Sequence, residues 1–459
     1  MAQPDANKAG SAEFRQRRGV EPPSVDASPE VIDKPDGVSM VLPSKGGVVI
    51  PKHLLLVLFA WGGLFGALNP VIAQTWTQTG LSVTNIFWTR IAASANGCQI
   101  VVAGLTTEFP YYGPIYISSD SGVTWVSNTV PPSGWGGIAS SADGTNMVLV
   151  TSAGTIYSST NSKTFAYKST IPQDLSGLAS SADGAKLVVG GFPGSIYVST
   201  NSGGTWSPSP GTSGKHWTSI AASADGSKVV AASFDGSVFT STDSGNTWAT
   251  NNLPRLFWVS VASSADGNIL AVAPGGFNSG HGPIFVSTNS GGTWSTNNSP
   301  MLAWQSIASS ADGTRLVAAA LTIGGYEPFS NSIYTSTDFG VTWVSNNVAA
   351  EDWSAVASSA DGNMLVATTT SGAGNHTYGG VWASQSTPSP RLNIVPSSNN
   401  IALAWIIPLT NFVLQQNLDL TTTNWTVVTN PPTLNLTNLQ YQVSLSPSNS
   451  SGFYRLASP

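Results

Sequence analysis

The chain has 459 residues, enough for two or three domains, with 9% charged residues, 47 glycines and a formal net charge of −6. That balance argues against nucleic acid as a partner, because phosphate binding needs a basic surface. It suits an all-β, turn-rich exported protein better than a helical cytosolic enzyme. The single cysteine, Cys98, rules out an internal disulfide and is expected as a buried strand residue rather than a nucleophile.

Residues 1–50 mix Pro, Gly, Ser and charge without periodicity and read as disordered. Lys52 and His53 then precede an apolar run, Leu54 to Leu68, and Val71-Ile72-Ala73 precedes Gln74. A basic flank, an apolar stretch and small residues before a cleavage point describe a secretory signal peptide over 51–73, cut after Ala73. Met40 offers an alternative start with a leader of conventional length. The competing reading is an uncleaved membrane anchor over residues 54–73, the only route to the membrane in this sequence. Export to the periplasm, the cell surface or the medium is expected, for a monomeric chain.

Two repeats organise residues 74–385. The string Ser-Ala-Asp/Asn-Gly begins at Ser94, Ser141, Ser181, Ser223, Ser264, Ser310 and Ser359, between 40 and 49 residues apart. A second string, S-x-D/N-x-G-x-T-W, is centred on Asp120, Asn201, Asp243, Asn289 and Asp338, and a shortened copy runs from Ser159 to Phe165. An Asp or Asn two residues before Gly marks a tight turn, and β-favouring residues on both sides make it a hairpin. Each repeat therefore predicts four short strands, the spacing expected of a propeller blade. The last repeat lacks its fourth strand. Gln74-Thr75-Trp76 is expected to supply it, closing the ring and leaving no open edge.

Ser386-Thr-Pro-Ser-Pro390 reads as a stiff linker. Residues 391–459 alternate apolar and polar in short runs, the pattern of a small β-sandwich. The expected fold class is all-β, a seven-bladed β-propeller followed by that sandwich.

The second string is the Asp-box, and the chain resembles the Asp-box (BNR-repeat) β-propellers. It is similar in blade number to single-propeller members related to the photosystem II assembly factor. The resemblance covers about two-thirds of the chain and implies a binding or assembly scaffold. The C-terminal stretch, through Phe412-Val-Leu-Gln-Gln, Asn424-Trp425 and Phe453-Tyr454-Arg455-Leu456, resembles a fibronectin type III-like module of exported bacterial proteins. Other Asp-box relatives are glycosidases, but their arginine triad has no counterpart here: Arg90 lies in Trp88-Thr-Arg-Ile-Ala without the family's Pro, and Arg315 follows a Ser-Ala-Asp-Gly turn.

Topology puts the Ser-Ala-Asp-Gly and Asp-box turns on one end and the variable connections on the other. The repeated aspartates are expected to form turns, not an acid–base pair. Binding is expected on the variable end, where loops on a rigid scaffold usually carry function. Its candidates are Glu108, Tyr111, Tyr112, Asp235, Arg255, His281, Tyr326, Glu327 and Tyr378. Eight residues before the Asp or Asn of six repeats stands a tryptophan, Trp88, Trp135, Trp217, Trp258, Trp304 or Trp353, with Leu175 in the seventh. These read either as packing between blades or as an aromatic funnel for sugar rings or apolar side chains. The histidines are isolated, with no metal-ligand spacing, and no glycine-rich phosphate loop occurs, so neither metal nor cofactor is expected. The ligand is expected to be a protein or a glycan. A divergent glycoside hydrolase or polysaccharide lyase, with carboxylates such as Glu108 and Glu327 or Asp235, is the alternative. A structural or adhesive role at the cell surface comes third.

Overall fold

The computed structural model describes residues 74–81, 83, 85–275, 281–321, 332–346, 348, 351–372 and 379–386. Beyond these it describes 392–396, 401–406, 413–418, 422, 424–435, 439–445 and 453–457. Near the N-terminus it places only two strands, Val31–Ile32 and Met40–Val41, paired antiparallel. The rest of the stretch expected to be disordered, 1–50, lies outside the described residues. The expected signal peptide lies outside the described residues.

Among the described residues, seven antiparallel sheets follow one another between residues 77 and 385. Their innermost strands are Ile86–Ala93, Trp135–Ser140, Leu175–Ser180, Trp217–Ala222, Trp258–Ser263, Ala303–Ser309 and Glu351–Ser358. Each innermost strand packs on the next, and the seventh packs on the first. Several second strands, such as Val229–Ser233 and Leu270–Pro274, are buried at every position. A sheet covered on both faces needs this continuous apolar run, whereas one with a wet face would alternate.

Every innermost strand carries a bulge near its start, for example between Trp217 and Ser219 and between Trp304 and Ser306, and one residue later, between Ser176 and Leu178, in the third sheet. A bulge withdraws a backbone group from the ladder, and a buried amide must then find another acceptor. The neighbouring sheet provides it. Ser219 Oγ accepts the Val261 N–H (3.1 Å), Ser260 Oγ that of Ile307 (3.0 Å), and Ser306 Oγ that of Val356 (3.1 Å). Across the seam between last and first sheets, the Ser354 hydroxyl donates to Trp88 O at 2.6 Å.

At the other end of these strands the alanine of each Ser-Ala-Asp/Asn-Gly string donates its N–H to the next alanine carbonyl. The links run Ala95 to Ala142, Ala182, Ala224, Ala265, Ala311, Ala360 and back to Ala95, each 2.7–2.8 Å. The circle is closed by seven hydrogen bonds.

The chain ends also meet. Thr77–Gln78 pairs antiparallel with Val381–Gln385 as the fourth strand of the last sheet, just past the expected Gln74–Trp76. The Thr79 N–H donates to Val381 O at 2.8 Å. Trp76 itself sits in a core with Trp353, Val356 and Leu365. In the fifth sheet the fourth strand shrinks to a bridge between Val286 and Ser295.

The outer turns use their Asp or Asn as expected. In the turn at Asp243, the Thr247 N–H donates to Oδ1 (2.8 Å) and the Thr247 hydroxyl to Oδ2 (2.6 Å). Ser241 donates to the same carboxylate at 2.8 Å and accepts the Gly245 N–H at 2.9 Å. Gly245 (φ 85°) is left-handed, but so is Ser244 (φ 61°), so the turn has two such residues rather than one. Asn201 and Asn289 reproduce the arrangement with an amide donating to Thr205 and Thr293. Cys98 differs from expectation. It lies half-buried in the turn before the second strand Ile100–Thr106, because the preceding Ser-Ala-Asn-Gly turn extends to it.

Past the ring, strands 393–396, 401–406, 440–445 and 433–435 form one sheet, and 426–427, 413–417 and 453–457 another. Leu403, Trp405, Leu414, Val443 and Leu445 from the two sheets share one core. Two antiparallel sheets around one core make a sandwich.

Two outcomes follow. Trp76→Ala removes a buried indole from the seam and should cost about 3–5 kcal/mol, read as a fall in melting temperature, with faster exchange of the Thr79 amide. The Thr247 hydroxyl and amide, then Ser241, hold the Asp243 carboxyl down at about 2, below its unfolded value of ~3.9. The stabilisation this carboxylate gives is present above ~4 and is lost as pH falls toward about 2. An acid melt of Asp243→Ala should therefore lose less stability across that window than the parent.

Candidate functional site

The variable connections gather where the innermost strands begin. There the residue following each second strand is tied to the residue before an innermost strand. The Phe192 N–H donates to Asp174 O (2.9 Å), that of Phe234 to His216 O (2.8 Å), and that of Gly275 to Phe257 O (2.8 Å). Phe192 and Phe234 thus occupy one rim position of consecutive sheets, and His216 and Phe257 the position bonded to it. Their rings touch in series. Phe192 lies 4.9 Å from His216 and 6.5 Å from Phe234, both edge-to-face, and Phe234 lies 4.9 Å from Phe257 at 35°. All four remain open to solvent, Phe234 with 46% of its surface.

This ridge was not singled out in the sequence, although a signal existed. Phe192 and Phe234 stand directly after a second strand, where other repeats carry Ser152 or Gly275. A large apolar residue at a position with no core to face is a surface feature in want of a partner.

Of the sequence candidates, Asp235 and Arg255 flank this ridge. Asp235 is paired with Lys215 at 3.0 Å, and the lysine ammonium also lies 5.0 Å from the Phe239 ring. Partial burial alone would raise the Asp235 carboxyl. Hydrogen bonds from Ser233 and Lys215, with the lysine charge, overcome that and hold it below the usual carboxylate range. Arg255 is exposed two residues before Phe257, and His281 is exposed on the fifth sheet.

A separate cluster stands on the first sheet. In the loop 107–114, the Tyr111 N–H donates to Glu108 O at 2.7 Å, and the Phe109 and Tyr111 rings meet edge-to-face at 6.0 Å. Glu108 and Tyr112 are exposed on the same loop, and Phe109 is 84% exposed. Glu108 and Asp235 stand on the first and fourth sheets, with two sheets between them. Tyr326, Glu327 and Tyr378 lie outside the described residues.

The tryptophans are a correction. Trp88, Trp217, Trp258, Trp304 and Trp353 are at most 1% exposed and Trp135 is 4% exposed, so none offers a face to a ligand. Each meets an aromatic ring of a third or outer strand instead: Tyr116 for Trp88, Tyr157 for Trp135, Phe239 for Trp217, Phe285 for Trp258, Tyr334 for Trp304 and Trp382 for Trp353. Four indole N–H groups donate to backbone carbonyls, of Gly113, Thr212, Gly236 and Gly282. Rings buried this completely are packing, not a funnel, and this holds for Trp88 and Trp353 too, whose N–H groups meet no acceptor among the described residues.

Arg90 is likewise committed to structure. Its Nε donates to Gly136 O and its Nη1 to Thr89 O, both at 3.0 Å, and burial lowers its pKa. Among the described residues no group of three His, Cys, Asp or Glu side chains is placed to hold a metal ion.

No family model matches the chain, and no curated protein matches it. Solved structures do. The chain is similar to the GH74 xyloglucanase from Xanthomonas campestris (TM-score 0.51, 15% identity), covering 72% of this chain and 59% of that one. It is similar to YCF48 bound to D1 peptide (TM-score 0.50, 14% identity), covering 69% of this chain and 98% of that one. A chain of the mitotic checkpoint complex is similar at TM-score 0.51 and 13% identity, covering 69% of this chain and 92% of that one.

The fold is a β-propeller. At these identities the likeness extends to the fold alone, and this chain spans about 59% of the length of the xyloglucanase. Within the propeller, the variable end with its phenylalanine ridge is the candidate site.

Removing the lysine should test the electrostatics of this end. In Lys215→Gln the Asp235 carboxyl loses its neighbouring charge and should titrate higher, closer to the usual ~3.9, as followed by NMR.

Proposed function

We propose that this chain is an exported, non-catalytic propeller that binds a protein or glycan through its variable-loop end. The observation that carries the reading is the ridge of Phe192, His216, Phe234 and Phe257, an exposed aromatic strip built from rim positions of consecutive sheets. Exposed aromatics cost free energy in water and return it when a partner covers them, about 25 cal/mol for each Å² of apolar surface. The ridge favours a protein over a glycan. Its rings are phenylalanines set largely edge-to-face, which leaves clefts for apolar side chains rather than one flat platform for a pyranose. Lys215 and Asp235 neutralise each other beside it, so recognition there rests on shape and apolar contact. YCF48, a neighbour of the same fold, is described with a bound peptide, which agrees with this reading.

The alternative, a divergent glycoside hydrolase, draws on the fold it shares with the xyloglucanase. A retaining or inverting mechanism needs one carboxyl kept protonated near neutrality. Asp235 is held in the opposite direction. Leader processing, the Asp-box family assignment and the kinship of the C-terminal sandwich belong to the same proposal.

The test is a panel of polysaccharides and surface proteins offered to the mature chain, reading both retention and product release. Retention without release, lost at least roughly tenfold in Phe192→Ser/Phe234→Ser/Phe257→Ser with the melting temperature unchanged, is the expected result. Exposed positions of this kind cost within about 0.5 kcal/mol of stability. Sugar release that disappears in Glu108→Gln would overturn it in favour of a hydrolase.

A further inference from the structure

The opposite end of the propeller carries a second feature. Inside the closed circle of alanine amides lies a cavity of about 170 Å³. Its polar groups are already spent. The alanine N–H and C=O groups bond one another around the ring, and the hydroxyls of Ser140, Ser180, Ser263, Ser309 and Ser358 each donate to the carbonyl of the following residue. What faces the axis is a ring of alanine methyls set among serine and backbone oxygens that already have partners, a seat for an apolar side chain and a poor one for a charge.

The C-terminal sandwich supplies that side chain. Leu439 lines the cavity and, with Tyr441, packs against the alanine ring. Leu439 has a φ of 54°, a left-handed conformation that is strained for a branched side chain and persists only where its surroundings require it. Tyr441 belongs to both bodies: it touches the alanine ring and stacks on Trp405, 6.0 Å away, in the core of the sandwich.

We propose that the C-terminal module is the stopper of the propeller's axis, with the turn at Leu439 as plug and the alanine ring as its seat. The module is thereby fixed to the propeller as one body instead of trailing on a linker. It closes the turn-bearing end, so that a ligand reaches the axis only from the variable-loop end.

The test uses the full chain and reads two quantities, the rate at which a protease frees the C-terminal module and the radius of gyration in solution. Leu439→Asp, which drives a carboxylate into the methyl seat, should release the module roughly tenfold faster or more and enlarge the particle. Val427→Asp, on an exposed strand of the other sheet of the sandwich, should change neither. Because Leu439→Asp also alters the module itself, Ala142→Leu provides the matching change from the propeller side. It fills the seat with the module untouched and should give the same release. Cysteines at 142 and 439 in a Cys98→Ser background should join through a short bismaleimide. Unchanged cleavage and dimensions in both Leu439→Asp and Ala142→Leu, with both variants folded, would overturn the proposal, as would failure of the cysteine pair to link.

Discussion

The seven hydrogen bonds that run from alanine to alanine around the axis are the constraint on which the rest depends. A ring of sheets closes only if every sheet turns by the same amount, so each must present the same contact at the same height. The Ser-Ala-Asp/Asn-Gly string does this. Its Asp or Asn fixes the turn, its serine caps the following backbone, and its alanine, with the smallest side chain that still has a Cβ, lets neighbouring backbones approach to 2.7–2.8 Å. The repeat is thus kept constant within the chain by geometry: every copy must present its amide and its carbonyl at the same height to make two links at once.

The same closure explains where the large residues go. Away from the alanine ring, at the far end of the innermost strands, the tryptophans pack in the cores between adjacent sheets. The sequence displayed both the period and the residue, yet left two meanings open, because inter-sheet packing and a rim of ligand-binding aromatics share one spacing. Burial separates them, and burial depends on the neighbouring sheet, which no single repeat contains. The bulge beside each tryptophan was hidden for a similar reason. It shows only when the ladder is laid out, although the serines at 219, 260 and 306 that satisfy the freed amides recur at its position.

Much of the architecture was legible because turn chemistry is local: an Asp bonded to the amide four residues on needs nothing from elsewhere. The seam was legible to within a residue or two, since a repeat that lacks a strand implies a donor for it. The site was legible only as an end of the molecule. Loop residues with charge, such as Asp235 and Arg255, drew the eye, while Phe192, Phe234 and Phe257 looked like strand residues until the register set them just outside the strands. They become a site through adjacency, when rim positions of three consecutive sheets are brought side by side.

The two ends are built on opposite principles, and that contrast bears on function. At the turn-bearing end the carboxylates at 120, 143, 183, 225, 243 and 338 are all held below their usual range by the hydrogen bonds of their own turns. Groups so committed have no proton to exchange near neutrality and little bonding capacity left for a ligand. At the variable end Asp235 beside the ridge is neutralised by a lysine, and the ridge itself exposes aromatic surface. A partner that displaces water from that ridge gains without first having to break protein hydrogen bonds, whereas a partner at the other end would have to compete with every turn. Binding is therefore favoured where the repeat relaxes, and the regular end is left to hold the ring closed.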